Sequence, residues 1–305
     1  MNSYPAPARV LVDVMTAAAA AKPDWAVAFQ GAPGAYSHQA VRERFPQGLP
    51  LPCYSFEEAL EAVQSGRAGH AVIPIENSLH GRVADIHFLL PESGLSIVGE
   101  HFVRVRHCLL GLRGSRREDV TTAFSHPQAL GQVRRRLRAW NINPDAYADT
   151  AAAAALVAAM GDPRIAAVAS RLASELYGLD VLAEGIEDAE HNTTRFVVLA
   201  REAVMPAPGT EVMTTLMFEV RNVPAALFKA LGGFATNGVN MTKIESYLRD
   251  GSFSAFEFYA DIEGSPESAP VARALDELRY HTKWVRLLGT YAQARSRQLA
   301  PPLSN

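Results

Sequence analysis

HNTTRFVVLA, residues 191–200, poses the question on which the reading of this chain turns. Its tail, Phe196 to Ala200, is an unbroken apolar run of β-branched and aromatic character and predicts a buried strand. Ahead of it stand Asn192, Thr193, Thr194 and Arg195, four polar side chains at a strand mouth. The pattern recurs along the chain. AVAFQ (26–30), HAVIPIE (70–76), TTAFSH (121–126) and IAAVAS (165–170) predict strands, most of them followed by polar clusters. Between them lie helical stretches: HQAVRERF (38–45), a helix opened by the capping box SFEE at Ser55 and closed by Gly66, PQALGQVRRRLRAW with Pro127 in the first turn, DTAAAAALVAAM capped by Asp149 or Thr150, and RLASELYG stopped by Gly178. LSIVGEHFVRVRHCLLGL (95–112), with its period-2 alternation, predicts a strand pair or a crossing between lobes. Strands alternating with helices predict an α/β sheet covered on both faces.

Domain organisation follows from where this pattern breaks. A length of 305 residues exceeds one ordinary core and predicts two domains. Residues 1–24 read as a poorly ordered lead-in or a short helix, because Asp13 interrupts VLVDVMTAAAAA and no basic segment precedes it. Residues 25–201 form the α/β unit, and the aperiodic, proline-bearing residues 202–210 form a linker. Residues 211–295 then read strand, helix, strand, an Asp250-Gly251 turn, strand, helix, strand, which is a ferredoxin-like βαββαβ unit.

Composition removes several function classes. Hydrophobic content of 48% with 20% charge is that of a globular protein, and a net charge of −3 gives no reason for a polyanionic partner. RRRLRAW (134–140) reads as a solvated helix face, so nucleic acid is not an expected partner. Cys53 and Cys108, without CxxC spacing, predict neither a disulfide scaffold nor a zinc site and suit a reducing cytoplasm. No apolar run is long enough to span a membrane.

Four stretches concentrate polar groups where α/β sheets bind ligands. GAPGAYS sets Gly31, Gly34 and Ser37 before a helix, where backbone N–H groups suit a carboxylate. Glu76, Asn77 and Ser78 offer a carboxylate, an amide and a hydroxyl in succession, and SHPQ supplies Ser125 and Gln128. Each also has a plain structural explanation as a turn or a helix cap. In HNTTR, the guanidinium of Arg195 beside an apolar strand needs a partner, and a carboxylate fits its fork.

Taken together and in this order, FQGAPGAYSHQA, PIENSLHGRV, SHPQAL, Asp149-Thr150-Ala151, the AxAS…YGL run and NTTRF closely resemble prephenate dehydratase, from about residue 25 to 292. The resemblance implies a two-lobed, periplasmic-binding-protein-like α/β catalytic unit with its site in the cleft, followed by an ACT domain. It implies that Thr194, the threonine directly before the Arg-Phe pair, is catalytic, with Arg195, Phe196, Glu76, Asn77 and Gln128 beside it. Gly34, Ser37, Ser78, Ser125, Thr150, Ala151 and Thr193 are the implied substrate-binding residues. In the ACT domain, resembled through NVPAALFKAL and KIESYL, phenylalanine would meet Asn222, Ala226, Leu227, Glu245 and Ser246. The family commonly has glycine where Ala225 stands and Arg-Pro where Tyr247-Leu248 stand.

Prephenate carries two carboxylates and a ring hydroxyl, and losing carbon dioxide and water makes its ring aromatic. Such an enzyme needs to hold the carboxylates and help the hydroxyl leave. No cofactor or metal is expected, and the nine histidines contain no HExxH or clustered ligand set. Thr194 is too weak an acid to act ionised, so it is expected to donate a hydrogen bond or proton. Arg195 is expected to anchor a carboxylate, with Asn77, Ser78, Ser125 and Gln128 orienting the rest, while Glu76 would stay protonated or turn away. Two alternatives stay open: arogenate dehydratase, and a non-catalytic ligand-binding or sensor protein. A homodimer or homotetramer paired partly through the C-terminal domain, in the cytoplasm, completes the expectation.

Overall fold

A computed structural model describes residues 4–248 and 256–295, except for the side chains of residues 84, 85 and 256. The chain divides into two compact units, Met1–Leu89 with His101–Val197, and Leu90–Glu100 with Val198–Asn305. The short segment Leu90–Glu100 thus belongs with the C-terminal unit rather than with its neighbours in sequence.

Residues 6–21, expected as lead-in or short helix, form α1 (Ala6–Ala21), which packs on β2 (Leu49–Cys53) and α7 (Thr150–Met160). Ala8 and Ala19, about three helical turns apart and on one face, are its buried residues. The first sheet is built from β1 (Ala26–Gln30), β2, β3 (His70–Asn77), the two-residue β4 (Gly81–Arg82), β5 (Ser96–Arg104) and β11 (Thr193–Ala200). Its order is β2-β1-β3-β11-β5, with β4 on β3, and β1 runs parallel to both β2 and β3. The apolar runs of β1, β3 and β11 are buried, as expected for strands covered on both faces. Helices α2 (Tyr36–Arg44), α3 (Phe56–Gln64) and α4 (Ala84–Glu92) follow β1, β2 and β4. The capping box holds: Ser55 Oγ accepts from Glu58 N–H at 3.2 Å, and the Glu58 carboxylate accepts from Tyr54 N–H at 2.6 Å.

The second sheet comprises β6 (Cys108–Gly111), β7 (Thr122–Ser125), β8 (Asn143–Ala146), β9 (Ile165–Ala169) and β10 (Asp180–Glu184), in the order β10-β6-β9-β7-β8. The stretch PQALGQVRRRLRAW is two short helices, α5 (Pro127–Gln132) and α6 (Arg134–Ala139), rather than one. Helix α7 is capped by Asp149, whose Oδ1 accepts from Ala152 N–H at 2.7 Å, and α8 (Arg171–Tyr177) by Ser170, accepting from Ala173 N–H at 3.1 Å. The alanines of α7 pack with Tyr177 and Leu179 in one core, and Leu109, Val168 and Leu137 form another.

Two segments carry the chain between these sheets. Residues 105–107 lead from β5 to β6, and residues 185–192 lead back from β10 to β11. They run side by side, with Val105 N–H donating to Asn192 O at 2.9 Å and Ile186 N–H to His107 O at 3.1 Å. The polar mouth HNTT is therefore the point at which the chain re-enters the first lobe.

In the second unit, β12 (Val212–Val220), α9 (Ala226–Thr236), β13 (Met241–Leu248), β14 (Phe256–Glu263), α10 (Ala269–His281) and β15 (Thr282–Ala292) follow the βαββαβ order. The sheet β13-β14-β12-β15 is antiparallel throughout. Phe234, Leu275 and Leu278 from the helices pack on Leu216 and Phe218, each such side chain contributing about 1.5–3 kcal/mol by burial. The Asp250-Gly251 turn lies outside the described residues.

Candidate active site

A cavity of about 480 Å³ in the first unit is lined from both sheets. The wall from the first sheet includes Ser37, Asn77, Thr194 and Phe196; the other includes Gln128, Gln132 and Thr150. Strand alternation explains which residues of the opening motif belong to it. Thr194 and Phe196 line the cavity, whereas Thr193 and Arg195, alternating with them along the strand, fall on the opposite face. Arg195 is only 3% exposed, and its Nη1 donates to Glu76 Oε1 at 3.0 Å. The expected carboxylate anchor is thus placed away from the cleft and neutralised by Glu76, which answers the need of a buried guanidinium for a partner.

Asn77 is the pivot of the site. Its Oδ1 accepts from the N–H groups of Leu79 at 3.0 Å and His80 at 3.1 Å, which fixes the orientation of the amide. Nδ2 must then point the other way, where it donates to Asn192 Oδ1 at 2.7 Å and to Thr194 Oγ1 at 3.0 Å. Because Thr194 Oγ1 receives a hydrogen bond there, its own O–H proton is directed elsewhere.

Other expected residues serve the walls rather than the cavity. Ser78 Oγ donates to His191 O at 2.8 Å and accepts from Thr193 N–H at 2.9 Å, tying the β3 end to the β11 mouth. Ser125 is fully buried and donates to Val168 O at 2.5 Å, and Ala151 is buried within α7. Gly34 also lies outside the lining. Its N–H donates to His38 Nδ1 at 3.0 Å, and its carbonyl accepts from Ser170 Oγ at 2.5 Å, so the GAPGAYS loop is docked on α8. Tyr177 completes the dock, its hydroxyl donating to Pro33 O at 2.6 Å, and Asp149 Oδ2 accepts from Ala32 N–H at 3.1 Å. Burial holds the His38 imidazole down to about 4, so it stays neutral and able to accept.

Tyr36, His80, Arg82, His107 and Gln132 line the cavity without having been singled out in the sequence. His80 and Arg82 sit inside PIENSLHGRV, four and six residues beyond Glu76, and their segment was in view. His107 carried no signal, because only the fold brings the interlobe crossover to the cleft. Among the described residues no group of three or more His, Cys, Asp or Glu is placed to hold a metal ion, and no helix is long and apolar enough to cross a membrane.

In the second unit, Asn222, Ala226 and Leu227 line a hollow of about 280 Å³ at the start of α9. Glu245 and Ser246 lie on β13 and not in that lining. Glu245 accepts from Tyr247 Oη at 2.6 Å and pairs with Lys243 Nζ at 3.1 Å. Ala225, where the family commonly has glycine, sits at φ +59°, a left-handed conformation that glycine adopts more readily.

Residues 27–204 match the family model of prephenate dehydratase. A bifunctional N-acyl-homoserine lactone acylase/prephenate dehydratase of Komagataeibacter europaeus is 53% identical over 266 residues, covering 87% of this chain and 95% of that protein. Arogenate dehydratase/prephenate dehydratase 1 of Arabidopsis thaliana, a chloroplastic protein, is 40% identical over 279 residues, covering 87% of this chain and 71% of its own. Among solved structures, prephenate dehydratase from Arthrobacter aurescens in complex with L-Phe is similar with a TM-score of 0.81 and 30% identity, covering 90% of this chain and 93% of that one.

Proposed function

The chain belongs to the prephenate dehydratase family, and from that premise we propose that its cleft converts prephenate to phenylpyruvate, releasing carbon dioxide and water. The observation that carries this reading is the hydrogen bond from Asn77 Nδ2 to Thr194 Oγ1 at 3.0 Å. It leaves the threonine proton available to the departing ring hydroxyl and stabilises negative charge that develops on Oγ1 as that proton is shared. The bond from the ring to its carboxylate breaks, its electron pair enters the ring, and the C–O bond breaks at the far side. The leaving oxygen takes the shared proton and departs as water, and Thr194 Oγ1 regains a proton from solvent.

Arg82 is the arginine among the described lining residues and takes over the carboxylate role that Arg195 was expected to fill. Ser37, Gln128 and Thr150 supply polar contacts from both walls, and Phe196 an apolar face for the ring. Glu76 contributes by holding Arg195, and therefore the strand that presents Thr194.

The C-terminal βαββαβ unit acts in this reading as a sensor for L-phenylalanine, supported by the Arthrobacter aurescens relative solved with that ligand. Asn222, Ala226 and Leu227 form one side of the site. The Glu245 carboxylate, already engaged by Tyr247 and Lys243, gives weaker binding than an unoccupied carboxylate would. Calorimetric titration of phenylalanine into the full-length enzyme, with initial rates measured alongside, tests the sensor role; no heat and no rate change would refute it.

The name of the Komagataeibacter europaeus relative favours a second activity, hydrolysis of N-acyl-homoserine lactones, and that of the Arabidopsis thaliana relative favours arogenate as a substrate. All three substrates belong in one assay. Prephenate turnover should drop by roughly 10²-fold or more in kcat on Thr194→Ala, a range typical of losing a positioned proton donor, and be largely retained by Thr194→Ser. An unimpaired Thr194→Ala enzyme would remove the assignment.

A further inference from the structure

A chain of hydrogen bonds lines the cleft opposite Thr194 and starts at a backbone carbonyl. Tyr36 Oη lies 2.7 Å from Arg106 O and 2.9 Å from His107 Nδ1. The carbonyl only accepts, so the phenol proton goes to it, and burial raises the phenol's pKa well above its ordinary value so that this proton is retained. Tyr36 Oη is then the acceptor for His107, and His107 Nδ1 must carry a hydrogen.

His107 is 1% exposed, and burial pushes its imidazole below the ordinary value, so the ring is neutral and bears one proton. Glu187 faces it as well, but its Oε2 takes the backbone N–H of His107, at 3.0 Å, and not the ring. With the proton on Nδ1, Nε2 is an acceptor. It stands 2.6 Å from the end of the Gln132 amide placed as Oε1. The two ends of an amide have the same shape, and proton count assigns the NH₂ to this one. Turning the amide over puts its carbonyl oxygen where Nε2 is placed, 3.1 Å from His80 Nδ1, and that nitrogen must then donate. The same Nδ1–H is within 3.3 Å of Asn77 Oδ1, the amide that holds Thr194.

We propose that Tyr36, His107 and Gln132 are positioning residues that hold His80 in its Nδ1–H tautomer, so that His80 Nε2 offers the substrate a hydrogen-bond acceptor beside Asn77 and Thr194. The partner suited to that nitrogen is the substrate's ring hydroxyl. Donating a hydrogen bond to His80 while keeping its proton, the hydroxyl turns an oxygen lone pair toward the Thr194 O–H. A carboxylate, which only accepts, is rejected at this position. Naming the hydroxyl rests on the dehydratase reading; the tautomer chain does not.

The two parts are tested separately. Long-range ¹H–¹⁵N spectra of the imidazoles in the full-length protein at pH 8, with the His80 signals identified by their loss in His80→Gln, read the tautomer directly. The native protein should show a protonated Nδ1 and a bare Nε2 at His80, and Gln132→Leu should raise the share of the Nε2–H form, with Asn77 Oδ1 left as the remaining acceptor for Nδ1–H. Tyr36→Phe, which releases the proton order at the start of the chain, should shift the ratio the same way and serves if Gln132→Leu does not fold. In turnover, Gln132→Leu should lower kcat roughly five- to tenfold, the effect of about one hydrogen bond, with KM nearly unchanged. His80→Gln combined with Gln132→Leu should recover part of the loss, since a glutamine carbonyl accepts without needing a tautomer. A native His80 carrying its proton on Nε2, or a tautomer indifferent to both variants, would overturn the proposal. The expected spectra with no turnover of prephenate would instead leave the chain standing and refute the dehydratase reading.

Discussion

Gly34→Ala measures how firmly the glycine loop is docked on α8. Gly34 adopts φ +96°, and a Cβ placed there would stand 2.9 Å from Ala173 Cα and 3.1 Å from Ala173 Cβ. An L-residue in that conformation costs roughly 1–3 kcal/mol. The contact with helix backbone cannot be relieved by a rotamer change, so the loop must lift from α8. Lifting stretches the buried bonds from Gly34 N–H to His38 and from Ser170 to Gly34 O, worth about 1 kcal/mol each. Together these give about 3–5 kcal/mol of destabilisation, or a fall in Tm of roughly 6–20 °C for a unit of this size. Thermal melts and urea titrations of the full chain provide the measurement. Gly161→Ala is the control: Gly161 caps α7 at φ +67° with nothing within 4 Å of its absent Cβ, so only the conformational cost of about 1 kcal/mol applies. If the two variants lose the same stability, the docking argument is wrong.

Asn77→Asp keeps an acceptor for the Leu79 and His80 N–H groups but cannot donate to Thr194, so kcat should fall roughly 10²-fold with the melting temperature held within a few degrees; retention of half the activity would contradict the pivot role. Arg195→Lys should leave KM unchanged and lower stability by about 1–3 kcal/mol, below the range for a fully buried pair because Glu76 is about a third exposed; a raised KM would restore Arg195 as a substrate anchor. His38 makes stability depend on pH. Above about 6.5 it is neutral folded and unfolded, and between about 6.5 and about 4 only the unfolded chain takes the proton, so stability falls as pH falls, by up to about 1.4 kcal/mol per pH unit. His38→Asn, which keeps an acceptor for Gly34 N–H, should lose about 2 kcal/mol less than the native chain between pH 7 and pH 5 in urea titrations, and parallel curves would refute the assignment.

The strands that sequence pattern revealed are those carrying an unbroken apolar run, such as β1, β9 and β11, because burial on both faces leaves little other composition. β2 and β8 escaped it for the converse reason. LPLPC and NPDA carry prolines, which an interior strand excludes, and both lie at sheet edges where a missing N–H is harmless. Helix α1 was obscured by Asp13 and by a run of alanines, whose small side chains give little periodic contrast although Ala8 and Ala19 are buried. At the site, Asn77, Thr194 and Phe196 were visible as polar or aromatic residues at strand ends. Arg195 was misplaced, although period-2 alternation already set it on the face opposite Thr194. Tyr36, His107 and Gln132 come together through the crossover at residues 105–107, and nothing local marks their meeting.

The alternation along β11 makes the cleft sensitive to chain length more than to chemistry. Removing or adding one residue between the β10 end and Thr193 would slide the strand by one position against its neighbours. Such a slip would turn the guanidinium of Arg195 into the cleft and bury the Thr194 hydroxyl against Glu76, exchanging a neutral donor for a cation in a single step. Residues 185–192 therefore act as a gauge block whose count determines which face of the strand meets the substrate, and lineages of this fold should reject single insertions and deletions there while tolerating substitutions away from residues such as Glu187 and Asn192, whose side chains bond His107 N–H and the Asn77 amide.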